Sequence, residues 1–321
     1  VLQQNKSEFV YKERRGKEFI ASSNSSKRDN KIANKMQQII AKHKPLSKGM
    51  VFEGRNIETS EGIILSDEQI DAINAAIKSP ISVITGGPGS GKTTLVQGLI
   101  SALKKLKADA RLCAPTGRAA KRISETPGLS ALGPSTIHMF LIKNKASKSS
   151  TDFDVMIVDE ASMIDIDLMN ELLISIPEKA SIIFIGDADQ LPPVGPGQMF
   201  KDLIESKYVP IVRLTGNYRQ HLMSGIAKAA REIVKGRMPV LENDFNKEMI
   251  FDEVPLGRQA DRVLEHYFDT LPQKLNIKPE DIQILSPQRT GEVGVYSLNQ
   301  KIQQRLTRSS NPLFTKKASN D

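Results

Sequence analysis

The stretch from Ser82 to Leu95 combines a short apolar run, a glycine-rich turn and a lysine. It reads SVITGGPGSGKTTL, in which Gly86 to Thr93 match the spacing G-x-x-x-x-G-K-[ST] without a mismatch. Glycines at these positions let successive backbone N–H groups turn toward phosphate oxygens, and a helix that starts there, predicted for 91–106, adds its positive N-terminal end. The stretch predicts a phosphate-binding loop. A glycine-rich turn that binds nothing is the alternative, which the preceding strand and the following helix disfavour.

The residue types of this loop have separate expected tasks. We expect Lys92 to reach the β- and γ-phosphates of a nucleotide and the Thr93 hydroxyl to bind Mg²⁺. The other predicted nucleotide-binding positions are Gly87, Pro88, Gly89, Ser90, Gly91 and Thr94. The loop alone leaves a switch, a transferase, a pump and a motor open as functions.

A pair of carboxylates follows a second apolar run, DVMIV at 154–158. Asp159 and Glu160 then lie at the carboxyl end of a strand, the edge at which α/β proteins bind ligands. We expect Asp159 to hold Mg²⁺ and Glu160 to orient and deprotonate an attacking water. Taken alone, the pair could be a solvated strand end, but the phosphate loop upstream favours catalysis. A general base here, with no N-K-x-D sequence downstream, disfavours a simple switch GTPase.

Helix and strand patterns alternate around these motifs. A Ser66 cap with acidic residues behind it starts a helix in SDEQIDAINAAI. Near-continuous apolar runs then recur at spacings typical of a parallel sheet that is buried on both faces. These runs are 81–85, 110–114, 154–158, 181–185 and 209–214. The predicted fold class is therefore α/β, a P-loop parallel sheet with helices on both faces.

The flanking regions carry weaker signals. Residues 22–30 are predicted to be loop or disordered, and 30–44 to form one amphipathic helix with Ile32, Met36, Ile39 and Ile40 on its apolar face. Beyond a boundary near 216–225, a second set of elements is predicted: helices at 222–235, 257–271 and 293–306, with strands near 248–254 and at 281–286. The predicted organisation is a basic segment and connector at 1–64, a first domain at 65–220 and a second at 221–321.

Composition narrows the classes of function. Hydrophobic residues make up 39% and charged residues 26% of the 321 residues, as in ordinary globular proteins. The single cysteine excludes an internal disulfide, and no two of the four histidines have metal-ligand spacing. The apolar runs are too short to span a bilayer and no signal-peptide pattern opens the chain, so we expect a cytoplasmic protein without a membrane partner.

The charge balance points toward a polyanionic partner. The formal net charge is +8, for which colloidal solubility is the alternative explanation. Aromatic residues make up only 5% of the chain and tryptophan is absent. If single-stranded nucleic acid binds, we therefore expect backbone contacts to outweigh stacking.

Six sequence motifs follow one another between residues 65 and 220. They are LSDEQ (65–69), CAPTGRAAKR (113–122), STIHMFL (135–141), DEAS (159–162), FIGDADQLPPVGPG (184–197) and LTGNYRQ (214–220). This ordered set resembles superfamily 1 helicases of the RecD-like branch, the exodeoxyribonuclease V alpha-subunit type, over about 65–300. GRAAKR and SPQRTGEVGVYSLN (286–299) favour this branch over the Pif-type and Dda-type helicases.

The resemblance implies a fold, an activity and partners. The fold is a RecA-like P-loop NTPase domain followed by a second, incomplete RecA-like domain. The activity is ATP-dependent DNA unwinding or translocation in the 5′→3′ direction, with ATP and Mg²⁺ as cofactors. The partners are single-stranded DNA or a junction of single- and double-stranded DNA, and other recombination or repair subunits.

The resemblance also implies roles for residues outside the phosphate loop. Gln69 matches a glutamine that reads adenine, with an exposed helix-start glutamine as the alternative. Gln190 matches a glutamine that couples the γ-phosphate to the DNA groove, whereas Asp187 is interpreted as a turn residue. Arg219 matches an arginine that approaches the γ-phosphate from the second domain and stabilises transition-state charge, with a surface salt bridge as the alternative.

A third group of positions matches single-strand DNA contacts. Residues 115–117 follow a strand and can present N–H groups at a helix start to a backbone phosphate. A plain N-cap is the alternative for Thr116, and a packed core histidine is the alternative for His138. The matched positions are Thr116, Gly117, Arg118, Thr136 and His138. The stretch 142–154, where the family has a strand-separating pin, is short and basic and lacks an apolar wedge, so a truncated pin and a loop both stay open.

The sequence departs from the family after LNQ at 298–300, where motifs V and VI do not follow. With no initiator Met, we expect a fragment of a longer protein that binds ATP but hydrolyses it slowly. The first hypothesis is a RecD-like DNA motor, and the second is a nucleotide-dependent DNA-binding or interaction module without motor activity. The helicase half of a conjugative relaxase is disfavoured, because 1–64 offers only His43 and Tyr11 for a nuclease.

Overall fold

The protein divides into two compact units. The computed structural model describes residues 9–14, 17–53, 57, 59, 62–146, 152–216, 225–240 and 249–308. Contacts group residues 1–223 into the first unit and residues 224–321 into the second. Within the described ranges, none of the helices has the length and apolar character that a membrane crossing requires.

The N-terminal segment forms a β-hairpin and a long helix. β1 (Phe9–Arg14) pairs antiparallel with β2 (Lys17–Ser22), and α1 (Ser23–Lys42) follows directly. The prediction of loop or disorder for 22–30 is wrong, because the Ser22 hydroxyl accepts a hydrogen bond from the Ser25 N–H and caps a helix that begins there. The first turns of this helix are polar all round, so no apolar period marks them in the sequence.

The apolar face of α1 belongs to the core of the first unit. Ile32, Met36 and Ile39 are buried in the same hydrophobic cluster as one face of the central sheet. Ile40, which the sequence pattern also placed on this face, is 41% exposed. The helix is therefore part of the folded unit rather than an appendage to it.

Substitution of Ile39 tests this assignment. Ile39→Ala is expected to lower the free energy of unfolding by about 2–5 kcal/mol, because the side chain is 0% exposed and its removal leaves a cavity. The neighbouring Ile40→Ala is the matched control, with an expected loss below about 1 kcal/mol. Urea denaturation measures both variants. A small and equal loss for the two variants would contradict the placement of α1 in the core.

Six parallel strands form the central sheet of the first unit. They are β3 (Ile81–Gly86), β4 (Ala110–Ala114), β5 (Ser135–Thr136), β6 (Val155–Val158), β7 (Ser181–Gly186) and β8 (Ile211–Leu214). Their order across the sheet is β5-β4-β6-β7-β3-β8. The predicted α/β fold class with a parallel sheet is confirmed, and every strand except the short β5 was predicted. Because all six strands run the same way, the loops that follow them meet at one carboxyl edge.

Helices cover both faces of this sheet. Ile84 faces the cluster that contains α2, α3 and α4, whereas its neighbour Val83 faces the cluster that contains α1, α5, α6 and α7. This double burial explains why the strands are continuously apolar. The helices are α2 (Asp67–Lys78), α3 (Lys92–Lys105), α4 (Gly117–Ser124), α5 (Ile137–Ala146), α6 (Ile166–Ser175) and α7 (Met199–Ser206).

The described part of the second unit is helical. Its helices are α8 (Gly225–Val234), α9 (Gln259–Glu265), α10 (Leu271–Leu275) and α11 (Val295–Arg308), and a π-helical turn (His266–Thr270) joins α9 to α10. The three helices predicted for this region are present in their described parts.

The two strands predicted for the second unit are not formed in its described residues. Residues 249–254 and 282–286 have no strand beside them within those residues. Their apolar side chains stay at the surface, with Phe251 44% and Leu285 82% exposed. Alternating apolar residues favour a strand, but a strand needs a neighbour that completes its hydrogen-bond ladder.

Candidate active site

The phosphate-binding loop connects β3 to α3. Gly89 and Gly91 each have a φ of 82°, a left-handed conformation that glycine adopts without strain. A Cβ on Gly86 would lie 2.4 Å from Ser90 Oγ, so the loop folds back tightly on the end of β3. The Ser90 hydroxyl is buried and has no hydrogen-bond partner among the described residues, which fits a site built for a polar ligand.

The Lys92 ammonium lies where this loop meets the carboxylates of the neighbouring strands. Its Nζ donates to the carbonyl oxygens of Gly86 at 2.5 Å and Gly87 at 3.0 Å. Burial lowers the pKa of Lys92, and the negative charges of Asp187 and of the two residues after β6 oppose this shift. The position suits a cation that exchanges loop carbonyls for phosphate oxygens.

The two carboxylates after β6 lie beside each other with the second in an unusual backbone conformation. The Glu160 N–H donates to Asp159 Oδ1 at 2.9 Å, and Glu160 itself has a φ of 53°. A left-handed residue other than glycine stores strain, and such residues recur at active sites. Burial raises the pKa of the Asp159 carboxyl and the Glu160 charge adds to the rise, whereas Lys92 opposes it.

The loop after β7 is attached to the segment after β6. Ser162 is 8% exposed, and its hydroxyl donates to Gln190 Oε1 at 2.6 Å. Further along the same loop, the Pro196 carbonyl accepts from the Ile166 N–H at 2.9 Å. An amide oxygen held in this way leaves the Gln190 NH₂ group available to donate to an acceptor such as a phosphate.

Removal of the Ser162 hydroxyl is therefore expected to slow nucleotide hydrolysis without changing nucleotide affinity. A single hydrogen bond of about 0.5–1.5 kcal/mol sets the expected loss in kcat at about 2–10-fold for Ser162→Ala. Ser124→Ala is the matched control, since that hydroxyl donates only to the Lys121 carbonyl on the surface of α4. The double variant Ser162→Ala with Gln190→Ala is then expected to lose less kcat than the product of the two single losses. A loss equal to that product would contradict the coupling between Ser162 and Gln190.

One pocket of about 370 Å³ unites these elements at the carboxyl edge of the sheet. It is lined by Pro88, Gly89, Ser90, Gly91, Lys92, Thr93, Thr94, Arg122, Asp159, Glu160, Asp187 and Gln190. Of the predicted nucleotide and metal residues, Gly87 and Gln69 lie outside this lining. Arg219 falls in 217–224, outside the described residues, and its role stays a prediction.

Comparison with known proteins decides the family. Residues 64–250 match a family model described as the AAA domain. The chain belongs to this AAA domain family. The ATP-dependent RecD2 DNA helicase of Deinococcus radiodurans is 33% identical over 244 residues, which are 74% of this chain and 32% of that protein. The RecBCD enzyme subunit RecD of Haemophilus influenzae is 36% identical over 169 residues, 44% of this chain and 26% of that protein.

These matches confirm the predicted resemblance of the chain to RecD-like superfamily 1 helicases. The chain spans about a third or less of the length of these two relatives. Among solved structures, the Pif1 helicase from Candida albicans aligns over 65% of this chain and 55% of that chain, with a TM-score of 0.41 and 23% identity. That partial likeness adds nothing to what the sheet itself shows.

Two residues that line the pocket, Asp187 and Arg122, were not among the site residues predicted from sequence. Asp187 was interpreted as a turn residue, but it is buried, lines the pocket and attracts Lys92. Arg122 is the last residue of the motif GRAAKR, and no role was predicted for it. The signal for Asp187 was its place directly after a strand of the same sheet edge, whereas the sequence pattern distinguishes Arg122 from the adjacent Lys121 in no way.

Gln69 braces the phosphate loop in the AAA domain. Its residue is 3% exposed, its Nε2 donates to the Gly91 carbonyl at 3.0 Å, and its Oε1 accepts from the Ser66 N–H at 2.9 Å. Gln69 thus completes a capping box at the start of α2 and is not the exposed glutamine of the alternative interpretation. The adenine contact stays a prediction.

The predicted DNA-contacting residues come from two adjacent strand ends of the AAA domain. β4 pairs with β5 in parallel, with Ala114 opposite Thr136. Thr116 caps α4 by accepting from the Ala119 N–H at 3.2 Å, and Thr136 accepts from the Met139 N–H at 3.1 Å. Both threonines therefore act as helix caps, which leaves the DNA contact open.

The remaining predicted DNA contacts are surface residues. Gly117, Arg118 and His138 are exposed, so the alternative of a packed core histidine is wrong for His138. Of the pin candidate at 142–154, residues 142–146 complete α5, and 147–151 lie outside the described residues. Exposed groups at two neighbouring helix starts suit contacts to a polyanion.

Proposed function

We propose that this chain carries the ATP-hydrolysing site of a RecD-like DNA helicase that moves 5′→3′ along single-stranded DNA, with residues 65–220 as its ATPase domain. The observation that supports this most is the single pocket shared by Lys92, Asp159, Glu160 and Gln190. A phosphate loop alone serves many functions, but a carboxylate base and an amide in the same pocket suit hydrolysis.

The residues of the pocket divide the proposed reaction among themselves. The loop N–H groups and Lys92 bind the β- and γ-phosphates of ATP. Thr93 and Asp159 both line the pocket and offer the hard oxygen ligands that Mg²⁺ prefers, and the ion supplies charge neutralisation to the phosphates when bound. Glu160 accepts a proton from the water whose oxygen bonds to the γ-phosphorus as the bond to the β-phosphate oxygen breaks, which leaves ADP and phosphate.

Gln190 is the proposed link between hydrolysis and DNA. Its amide group reaches the γ-phosphate while Ser162 fixes its orientation. Thr116, Gly117, Arg118, Thr136 and His138 are proposed to contact the DNA backbone at the ends of β4 and β5. Other recombination or repair subunits are proposed as further partners, by analogy with the RecD relatives, which are named as subunits of a RecBCD enzyme.

Strand displacement with tailed duplexes tests the proposal. The purified protein is mixed with ATP and duplexes that carry either a 5′ or a 3′ single-stranded tail, and release of the labelled strand is followed. Because this chain is expected to hydrolyse ATP slowly, we expect slow release, from the 5′-tailed duplex only, and none with a nonhydrolysable ATP analogue. Release from the 3′-tailed duplex alone would overturn the proposed direction.

A second candidate function is a nucleotide-dependent DNA-binding module without motor activity. The helical character of the described residues in the second unit favours it, because no second sheet is present there. For this candidate, ATP changes the affinity for single-stranded DNA while neither tailed duplex is opened. Fluorescence anisotropy with a labelled oligonucleotide, run beside the displacement assay, distinguishes the two.

A further inference from the structure

Arg122 supplies a second cation to the phosphate pocket. Among the residues that line this pocket in the described structure, three are acidic (Asp159, Glu160 and Asp187) and two are basic (Lys92 and Arg122). The carboxylates outnumber the cations before any nucleotide enters. A phosphate chain with several negative charges therefore needs every positive group that the pocket offers.

The helix that carries Arg122 is fixed relative to the phosphate loop. Ala120 and Ile123 on α4 are buried in the cluster that also contains α3, the helix that begins at the loop. The Gln97 side chain on α3 donates to the Pro127 carbonyl at 3.1 Å, just beyond the end of α4. Arg122 therefore projects from a firmly packed helix, a favourable start for a group that must meet a ligand.

The neighbouring cation on α4 is engaged elsewhere. Lys121 forms an ion pair with Glu125 at 3.7 Å on the outer surface of the helix and does not line the pocket. The described residues provide no ion-pair partner for Arg122, whose charge acts instead on Lys92 and Asp159. The two adjacent basic residues thus have different environments, and only one of them faces the pocket.

We propose that Arg122 binds the terminal phosphate of the nucleoside triphosphate within its own domain. The inference rests on the proposed function and adds a residue to that site. Lys92, Asp159 and Gln190, which share the pocket with Arg122, are the groups that the proposed reaction places around the γ-phosphate. A guanidinium offers a planar pair of N–H donors that matches phosphate oxygens, which a lysine does not.

Titration with fluorescent ATP and ADP analogues tests the proposal without reliance on turnover. Arg122→Ala is expected to weaken ATP binding by about 10-fold or more, the loss of a charge-assisted hydrogen bond, and to change ADP binding by less than about 2-fold. Arg122→Lys is expected to recover only part of the ATP affinity. Lys121→Ala is the matched control, with both affinities unchanged.

The outcomes separate the inference from the function on which it rests. Equal losses for ATP and ADP, or no loss for either, would overturn the role at the terminal phosphate. A wild-type protein that binds neither nucleotide would overturn the proposed function itself and the inference with it. A Lys92→Ala variant that binds ATP as tightly as wild type would do the same. Arg122 is exposed, so thermal denaturation is expected to give the same Tm for wild type and both Arg122 variants, which shows that affinity rather than folding changed.

Discussion

Glu160→Gln is expected to lower the rate of ATP hydrolysis by about 10²–10⁴-fold while ATP affinity stays within about 2-fold of wild type. Glu160 and Asp159 line the pocket side by side, and the backbone of Glu160 has a left-handed conformation with a φ of 53°. The amide keeps the size and the backbone strain of the glutamate but cannot accept the proton of the attacking water. Hydrolysis is measured by phosphate release and affinity by titration with a fluorescent ATP analogue.

The matched control for this prediction is Asp189→Asn. Asp189 lies in the loop after β7 but does not line the pocket, and its side chain is exposed. The control therefore removes an acidic charge near the site without removing the proposed base, and its hydrolysis rate is expected to stay within about 2-fold of wild type. A Glu160→Gln variant that hydrolyses ATP at the rate of this control would show that Glu160 is not the base.

Lys92→Ala is expected to weaken ATP binding by about 10–100-fold and to reduce hydrolysis further, by about 10²–10³-fold at saturating ATP. The ammonium lies at the phosphate loop and is attracted to the three carboxylates that line the same pocket, Asp187, Glu160 and Asp159. With the ammonium removed, Arg122 is the one basic residue among the described residues of the pocket lining that still offsets the repulsion between those carboxylates and the phosphates.

Lys104→Ala is the matched control on the same helix. Lys104 lies in the last turn of α3, exposed and far along the helix from the loop. Equilibrium titration of both variants with ATP gives the comparison, and the control is expected to match wild type. Equal affinities of Lys92→Ala and Lys104→Ala for ATP would be incompatible with a phosphate-binding role for Lys92.

The central sheet of the first unit, apart from the short β5, could be predicted from sequence because its signals are local and consistent. The strands before Gly87 and Asp159 are continuously apolar, and parallel strands place their following loops at one edge, so the shared pocket followed from the strand pattern alone. Ser66 and the acidic residues after it predicted a helix start, and the structure shows reciprocal capping bonds between Ser66 and Gln69.

The remaining features depend on contacts between distant residues. The polar start of α1 is helical because Ile32 and Ile39 further along that helix pack against the sheet, which no local pattern in 22–30 reveals. Phe251 and Leu285 lie in strand-like sequences that lack a neighbouring strand in the described residues. Arg122 acquires its place in the pocket only because α4 packs beside α3, and helical spacing alone does not show which of its two adjacent cations faces a ligand.

The most direct measurement is steady-state ATP hydrolysis by the purified protein with and without a single-stranded DNA oligonucleotide, with Glu160→Gln run in parallel. We expect the oligonucleotide to raise the wild-type rate by about 10-fold or more, since motif residues at the ends of β4 and β5 share one sheet edge with the pocket. The Glu160→Gln rate is expected to stay at background in both conditions. A wild-type rate that is substantial but indifferent to DNA would contradict the DNA motor, and a rate unchanged by Glu160→Gln would contradict the site.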